Sequence, residues 1–258
     1  MIVADFMTPD PVTVGPSDSL ETALSAMDEY SIRHLPVVDG EHLVGVLSHR
    51  DLVGMTGWGL LGPDEEDDTR PRWVEQVMKT DVVTVSPDDQ VVAAAVEVTS
   101  RGVGCLPVIE DGKLLGIVSE MDLVRLVSRS EAPDGTVLTI GAPRAIAVAP
   151  GATLAQLDEL MTAKNVRHLP VERNDELIGL VSDRDIRRAL GAGLGPDAAA
   201  DAFMTTGVVT IPADTTIKDA AATMFDRRVG ALVIRCDEGF GIITTTDLVD
   251  HALGVLGG

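Results

Sequence analysis

Aromatic residues are scarce: two Trp, one Tyr and four Phe make up 3% of 258 residues. A core cannot be assembled around stacked rings, so it has to come from Val, Leu, Ile, Ala and Met. The 45% apolar content, with a mean hydropathy of +0.20, supplies enough of them. Cysteine is nearly missing. Cys105 and Cys236 are lone residues in apolar stretches, which excludes a disulfide framework and thiolate metal-ligand spacing and points to a reducing compartment. No apolar run reaches bilayer length, and the opening MIVADFMTPD has neither a basic n-region nor an apolar h-region. The expectation is a soluble, cytoplasmic protein with no membrane contact.

Positive charge is scarce too. Lys and Arg number 20 against 41 Asp and Glu, a formal charge of −21, and only four of the 20 are Lys. Phosphate backbones need a basic face, so nucleic acid is excluded as a general partner. Asp (27) outnumbers Glu (14), unlike the Lys- and Glu-rich chains of hyperthermophiles. A Lys-poor acidic surface suits concentrated salt, where self-repulsion is screened. The melting temperature is therefore expected to rise from dilute buffer to molar KCl, as the Debye length contracts from about 10 Å at 0.1 M to about 3 Å at 1 M. A melting temperature indifferent to salt would sink the halophilic reading.

What the chain does have is repetition. RHLPV occurs at 33–37 and again at 167–171. Around it a longer unit recurs: GVLSHRD (45–51), GIVSEMD (116–122), GLVSDRD (179–185) and GIITTTD (241–247) share Gly, two apolar residues, Ser or Thr, and Asp three further on. Successive Ser/Thr positions are 71, 63 and 62 residues apart. Upstream lie LPVV, LPVI, LPVE and LVIR, and before those VTV (12–14), VTV (83–85), IAV (146–148) and VTI (209–211). Four copies of one unit are present.

Each copy reads as a short β run, an amphipathic helix, two apolar strands and a second helix. Leu20, Ala23, Leu24 and Met27 show the helical spacing in the first copy, and Ile217, Ala220, Ala221 and Met224 in the fourth. Asp39-Gly40, Asp111-Gly112 and Asn174-Asp175 supply hairpin turns. The fold class is thus α+β, four β-α-β-β-α units. One unit buries too little surface alone, so copies are expected to pair into two pseudo-symmetric modules of about residues 1–130 and 137–258. An acidic segment at 54–72 and Gly/Pro/Ala-rich joints at 128–136 and 191–201 connect them. Trp58 and Trp73 are expected to clamp the first of these segments onto the body.

With Met-Thr near its start, Leu-Pro-Val in its middle and Gly-x-x-Ser/Thr-x-x-Asp at its end, the repeat resembles the cystathionine-beta-synthase (CBS) domain. The resemblance runs from about Phe6 to Leu253 and places domains at 7–62, 78–135, 141–197 and 204–258. It implies that paired domains form clefts for adenosyl ligands: AMP, ADP, ATP or S-adenosylmethionine. Four domains in one chain are similar in architecture to the gamma subunit of AMP-activated protein kinase. Met7-Thr8 and Met204-Thr205 follow the motif, Met78-Lys79 half follows it, and Gly141-Ala142 departs. The fourth copy has Val233 in place of proline.

The resemblance also implies site residues. Ser48 and Asp51, Ser119 and Asp122, Ser182 and Asp185, and Thr244 and Asp247 would meet ribose at a helix start, where the backbone also favours phosphate. The same spacing is that of a capping box, which needs no ligand, although Glu or Gln suits the fourth place better than Asp. Arg33-His34 and Arg167-His168 stand where the family places cations for phosphates. A surface salt bridge is the plainer explanation in so acidic a chain. Thr13, Thr84, Ala147 and Thr210 would present backbone groups to the adenine edge, though β-branched residues favour strands in any case. His42, His49 and His251 show no ligand spacing and are expected to be solvated.

No phosphate-cradling glycine loop, metal cluster or nucleophile–base pair is present in the sequence. The expected function is a non-catalytic regulatory module, an energy sensor that binds adenosyl nucleotides, requires no cofactor, and signals to an effector protein encoded elsewhere. A homodimer is compatible with this. The alternative is a ligand-free scaffold for protein association.

Overall fold

The structure, a computed structural model, describes residues 1–54, 71–129, 135–237 and 239–256. In the first repeat a two-residue strand β1 (Thr8–Pro9) leads to helix α1 (Leu20–Glu29), strands β2 (His34–Asp39) and β3 (His42–Ser48), and helix α2 (His49–Gly54). The second repeat runs through α3 (Val91–Arg101), β4 (Cys105–Glu110), β5 (Lys113–Ser119) and α4 (Glu120–Arg129). The third has α5 (Leu154–Lys164), β6 (His168–Arg173), β7 (Glu176–Ser182) and α6 (Asp183–Gly191). The fourth has β8 (Thr210–Pro212), α7 (Ile217–Arg227), β9 (Ala231–Arg235), β10 (Phe240–Thr244) and α8 (Thr245–Leu256). Two compact units result: one of the described residues up to Leu123 with the chain from Ala252 onward, the other of Val124–His251.

Local chemistry sets these elements. Ser19, Thr153 and Thr216 each accept a backbone N–H of the first turn of α1, α5 and α7, a cap of the kind that contributes about 1 kcal/mol. The hairpins turn at Gly40-Glu41, Asp111-Gly112 and Asn174-Asp175. Positive φ at Gly40, Asp111, Gly112, Asn174 and Asp175 explains the residue types found there. Strands β2, β4 and β6 each bury three or four consecutive side chains, and fully enclosed Leu35, Leu47 and Met27 anchor the first repeat's core. Each such side chain contributes roughly 1.5–3 kcal/mol by burial. Leu154, Leu157 and Leu169 do the same in the third repeat.

The first β run is shorter than the sequence pattern suggests. Only the fourth copy forms a strand, β8, parallel to β9; elsewhere a single parallel bridge remains, Val14 to Val37, Val85 to Val108 and Val148 to Val171. A proline closes the run in every copy (Pro16, Pro87, Pro150 and Pro212) and offers no ladder donor beyond it. The 191–201 segment is a docked connection. Leu154 and Ala155 of α5 donate to the carbonyls of Ala198 and Pro196 at 2.9 and 3.1 Å. Trp58 and most of 54–72 lie outside the described residues, and Trp73 is 46% exposed.

The repeats of a unit exchange their leading segments. Strand β1, ahead of the first repeat, pairs antiparallel with β5 of the second. Lys79, ahead of the second, exchanges two 2.9 Å backbone hydrogen bonds with Val46 of β3. In the other unit Thr205 pairs with Leu180 of the third repeat, and Ala142 with Ile242 of the fourth. The motif glycine is what lets the exchanged backbone approach. A Cβ on Gly45, Gly116 or Gly179 would sit 2.4–2.7 Å from the sulfur of Met78, Met7 or Met204, and one on Gly241 would sit 2.8 Å from the Ala142 carbonyl oxygen.

Candidate functional site

Each Ser/Thr-x-x-Asp motif forms a reciprocal cap between the hairpin's second strand and the following helix. The Asp amide donates to the hydroxyl of Ser48, Ser119, Ser182 or Thr244 at 3.2–3.5 Å. The backbone amides of Ser48, Ser119, Ser182 and Thr244 donate to Asp Oδ2 at 2.7–2.9 Å. The hydroxyls also donate to Oδ2; the Ser48–Asp51 contact is the tightest. Asp therefore closes the box as completely as Glu would, and its choice by itself requires no ligand. What the cap leaves over is the other carboxylate oxygen.

That oxygen, Oδ1, meets the exchanged segment of the partner repeat, and the four copies differ there. Thr8 Oγ1 donates to Asp122 Oδ1 at 3.4 Å, and Thr205 Oγ1 donates to Asp185 Oδ1 at 3.0 Å. Lys79 Nζ lies 3.1 Å from Asp51 Oδ1. At Asp247 the corresponding residue is Ala142, which has no side-chain donor. Oδ1 of Asp247 takes no part in the hydrogen bonds made among the described residues. Asp185 has a further neighbour in Arg188, 3.8 Å away on the same helix.

Arg33 immediately precedes β2, yet its guanidinium reaches Glu120 at 3.2 Å, in the first turn of α4 two residues before Asp122. Arg167 likewise donates to the hydroxyl of Thr246 at 2.6 Å, beside Asp247 in α8. Each arginine thus serves the helix start of its partner repeat. The histidines face the same junction. A Cβ on Gly104 would lie 2.2 Å from His34 Cε1, and one on Gly230 would lie 3.5 Å from His168 Nε2. Glycine at 104, where the first and third copies carry arginine, clears the space that His34 fills, while His168 lies at ordinary contact distance over Gly230.

Thr13, Thr84 and Ala147 are exposed and Thr210 is half-buried. Val14 exchanges hydrogen bonds with Pro36 and Val38, so the amide and carbonyl of Thr13 point to the opposite, unpaired side of the run. Such an edge can meet a heterocycle. His49, expected in solvent, is instead buried at 7% exposure at the junction of β3 and α2, where its amide donates to the Arg33 carbonyl. His42 is exposed and His251 half-buried.

Burial works against ionisation of Asp51, but hydrogen bonds from Ser48 and the Lys79 ammonium outweigh it and hold the carboxyl below its ordinary value of 3.8. Burial, with the Glu120 charge nearby, pushes the Cys105 thiol up to about 12, so it stays protonated and unreactive. Partial burial and the Asp247 charge raise Asp250. Among the described residues no group of three or more His, Cys, Asp or Glu is arranged to hold a metal, and no helix is long and apolar enough to cross a membrane.

The CBS-domain family model matches residues 3–55, 74–129, 139–192 and 199–254. The chain belongs to the CBS-domain family. Over 93% of its length it is 25% identical to an uncharacterized protein of Methanocaldococcus jannaschii, MJ1225, covering 94% of that protein. The MJ1225 crystal structure, of a protein proposed as an archaeal homologue of g-AMPK, superposes with a TM-score of 0.80 at 22% identity, covering 97% of this chain and 99% of that one. An uncharacterized conserved protein of Pyrococcus horikoshii gives 0.66 at 23% identity, with 98% and 100% covered. Both structures share the four-domain fold.

Glu120 carries no signal in the sequence pattern. Thr8, Lys79 and Thr205 stand in the Met-Thr motif, which Lys79 breaks, but the pattern does not show that each meets the partner repeat's aspartate.

Proposed function

We propose that this CBS-domain protein is a non-catalytic regulator that binds adenosyl nucleotides in clefts between paired domains. The observation that carries the reading is the convergence of Arg33 on the first turn of α4 and of Arg167 on that of α8. These are the same turns that carry Asp122 and Asp247. A cation and a carboxylate at one helix start suit the 5′-phosphate and ribose hydroxyls of a single nucleotide. Thr84, Thr13, Ala147 and Thr210 supply strand edges for adenine. His34 and His168 shape the junction and add charge only when protonated.

In this reading ligand occupancy shifts the relation of two domains, which an effector protein senses. Work in the cytoplasm, an energy-sensing role and self-association all fit it. The scaffold alternative has one observation in its favour: Asp51 and Arg33 already hold ion partners, Lys79 and Glu120. Thermal unfolding with AMP, ADP, ATP and S-adenosylmethionine separates the two, with guanosine monophosphate as control. Saturating shifts confined to adenosyl ligands are expected, worth about 2.7 kcal/mol at a hundredfold excess over Kd. A folded protein whose unfolding ignores all four ligands is a scaffold.

A further inference from the structure

The exchanged segments do not treat the four aspartates alike. Asp122 and Asp185 each accept from a threonine hydroxyl, the segment beside Asp247 carries Ala142, which has no side-chain donor, and Asp51 meets a full positive charge, Lys79, 3.1 Å from its Oδ1. The backbone of Lys79 is fixed by its two hydrogen bonds to Val46, so its attachment point does not drift. Its side chain is 69% exposed while that of Asp51 is 12% exposed. The carboxylate is therefore held in place and the ammonium is free to swing into water on four rotatable bonds.

We propose that Lys79 determines specificity at Asp51: it occupies the carboxylate oxygen until an anionic ligand draws the ammonium away. This rests on the reading of Asp51 as a ribose acceptor. A neutral nucleoside offers two hydroxyls to Asp51 but strips Lys79 of its counter-charge. A nucleotide offers the same hydroxyls and gives the ammonium a phosphate in exchange. Position 51 consequently selects nucleotides over nucleosides, and Thr8 and Thr205, being neutral, confer no such selection at Asp122 and Asp185.

The test follows the Ser48 backbone amide, which donates to Asp51 Oδ2 at 2.9 Å, by amide NMR of the full chain during titration with AMP and with adenosine. In the wild type the Ser48 signal should report AMP binding at least tenfold tighter than adenosine. Lys79→Thr, the residue type of two of the other three exchanged segments, should shrink that ratio about tenfold, chiefly by strengthening adenosine. Lys79→Arg should preserve it. A ratio unchanged in Lys79→Thr, with Ser48 still responding to both ligands, overturns the role of Lys79 alone. A Ser48 amide unmoved by either ligand in wild type and Lys79→Thr overturns the ribose reading of Asp51 and the proposal together.

Discussion

Gly241→Ala is expected to lower stability by about 1–3 kcal/mol, the usual penalty for forcing a methyl into a filled site. The new Cβ would lie 2.8 Å from the Ala142 carbonyl oxygen, 3.2 Å from that of Pro143 and 3.3 Å from Ile234 Cβ. Two of these are backbone atoms of the exchanged segment, which cannot rotate aside as a side chain can. Relief requires the segment to pull away from β10 and lose the 2.9 Å hydrogen bonds between Ala142 and Ile242. Gly151→Ala is the matched control: nothing lies within 4 Å of its Cβ, so its effect should be neutral or slightly stabilising. Thermal unfolding of both variants decides it. Equal melting temperatures would mean that the exchanged segment is not held against the motif glycine.

The second large effect concerns the ligand. Arg167→Ala is expected to weaken AMP binding by about 1.5–3 kcal/mol per lost charge-assisted hydrogen bond, while leaving adenosine nearly unchanged. Asp247→Ala should weaken both, because ribose is common to the two. In the second module Arg167 meets the Thr246 hydroxyl at 2.6 Å. Arg33 is paired with Glu120, so removing it also frees a carboxylate, and truncating His34 would open a hole over Gly104. Calorimetric titration of the two ligands into each variant gives the comparison. Equal losses of AMP and adenosine in Arg167→Ala would assign the arginine to the fold.

The parts of this fold that were legible in the sequence are those built from near neighbours. Hairpin turns at Asp111-Gly112 and Asn174-Asp175, helix faces such as Ala23 and Met27, and the Ser/Thr-x-x-Asp caps each depend on residues a few positions apart. The exchange of leading segments depends on contacts across a whole repeat, such as Thr8 with Asp122 and Lys79 with Val46. Periodicity carries no trace of those. The motif glycines recur in the sequence without a stated role; Gly45, Gly116, Gly179 and Gly241 lie within strands and serve close backbone approach. Arg33 and His34 are adjacent in the sequence, but in three dimensions the two divide: Arg33 pairs with a carboxylate, and His34 packs on the glycine that replaces the arginine in the other repeat. His49 shows no ligand spacing and is expected in solvent, but it is buried at the strand-to-helix junction.

The central claim, ribose on the motif aspartates and phosphate on the arginine side of the same helix start, is tested most directly by a crystal structure grown with AMP. The account predicts a nucleotide with its ribose hydroxyls within hydrogen-bonding distance of at least one of Asp51, Asp122, Asp185 and Asp247, and its phosphate beside Arg33 or Arg167. AMP bound with its ribose away from all four aspartates would contradict it.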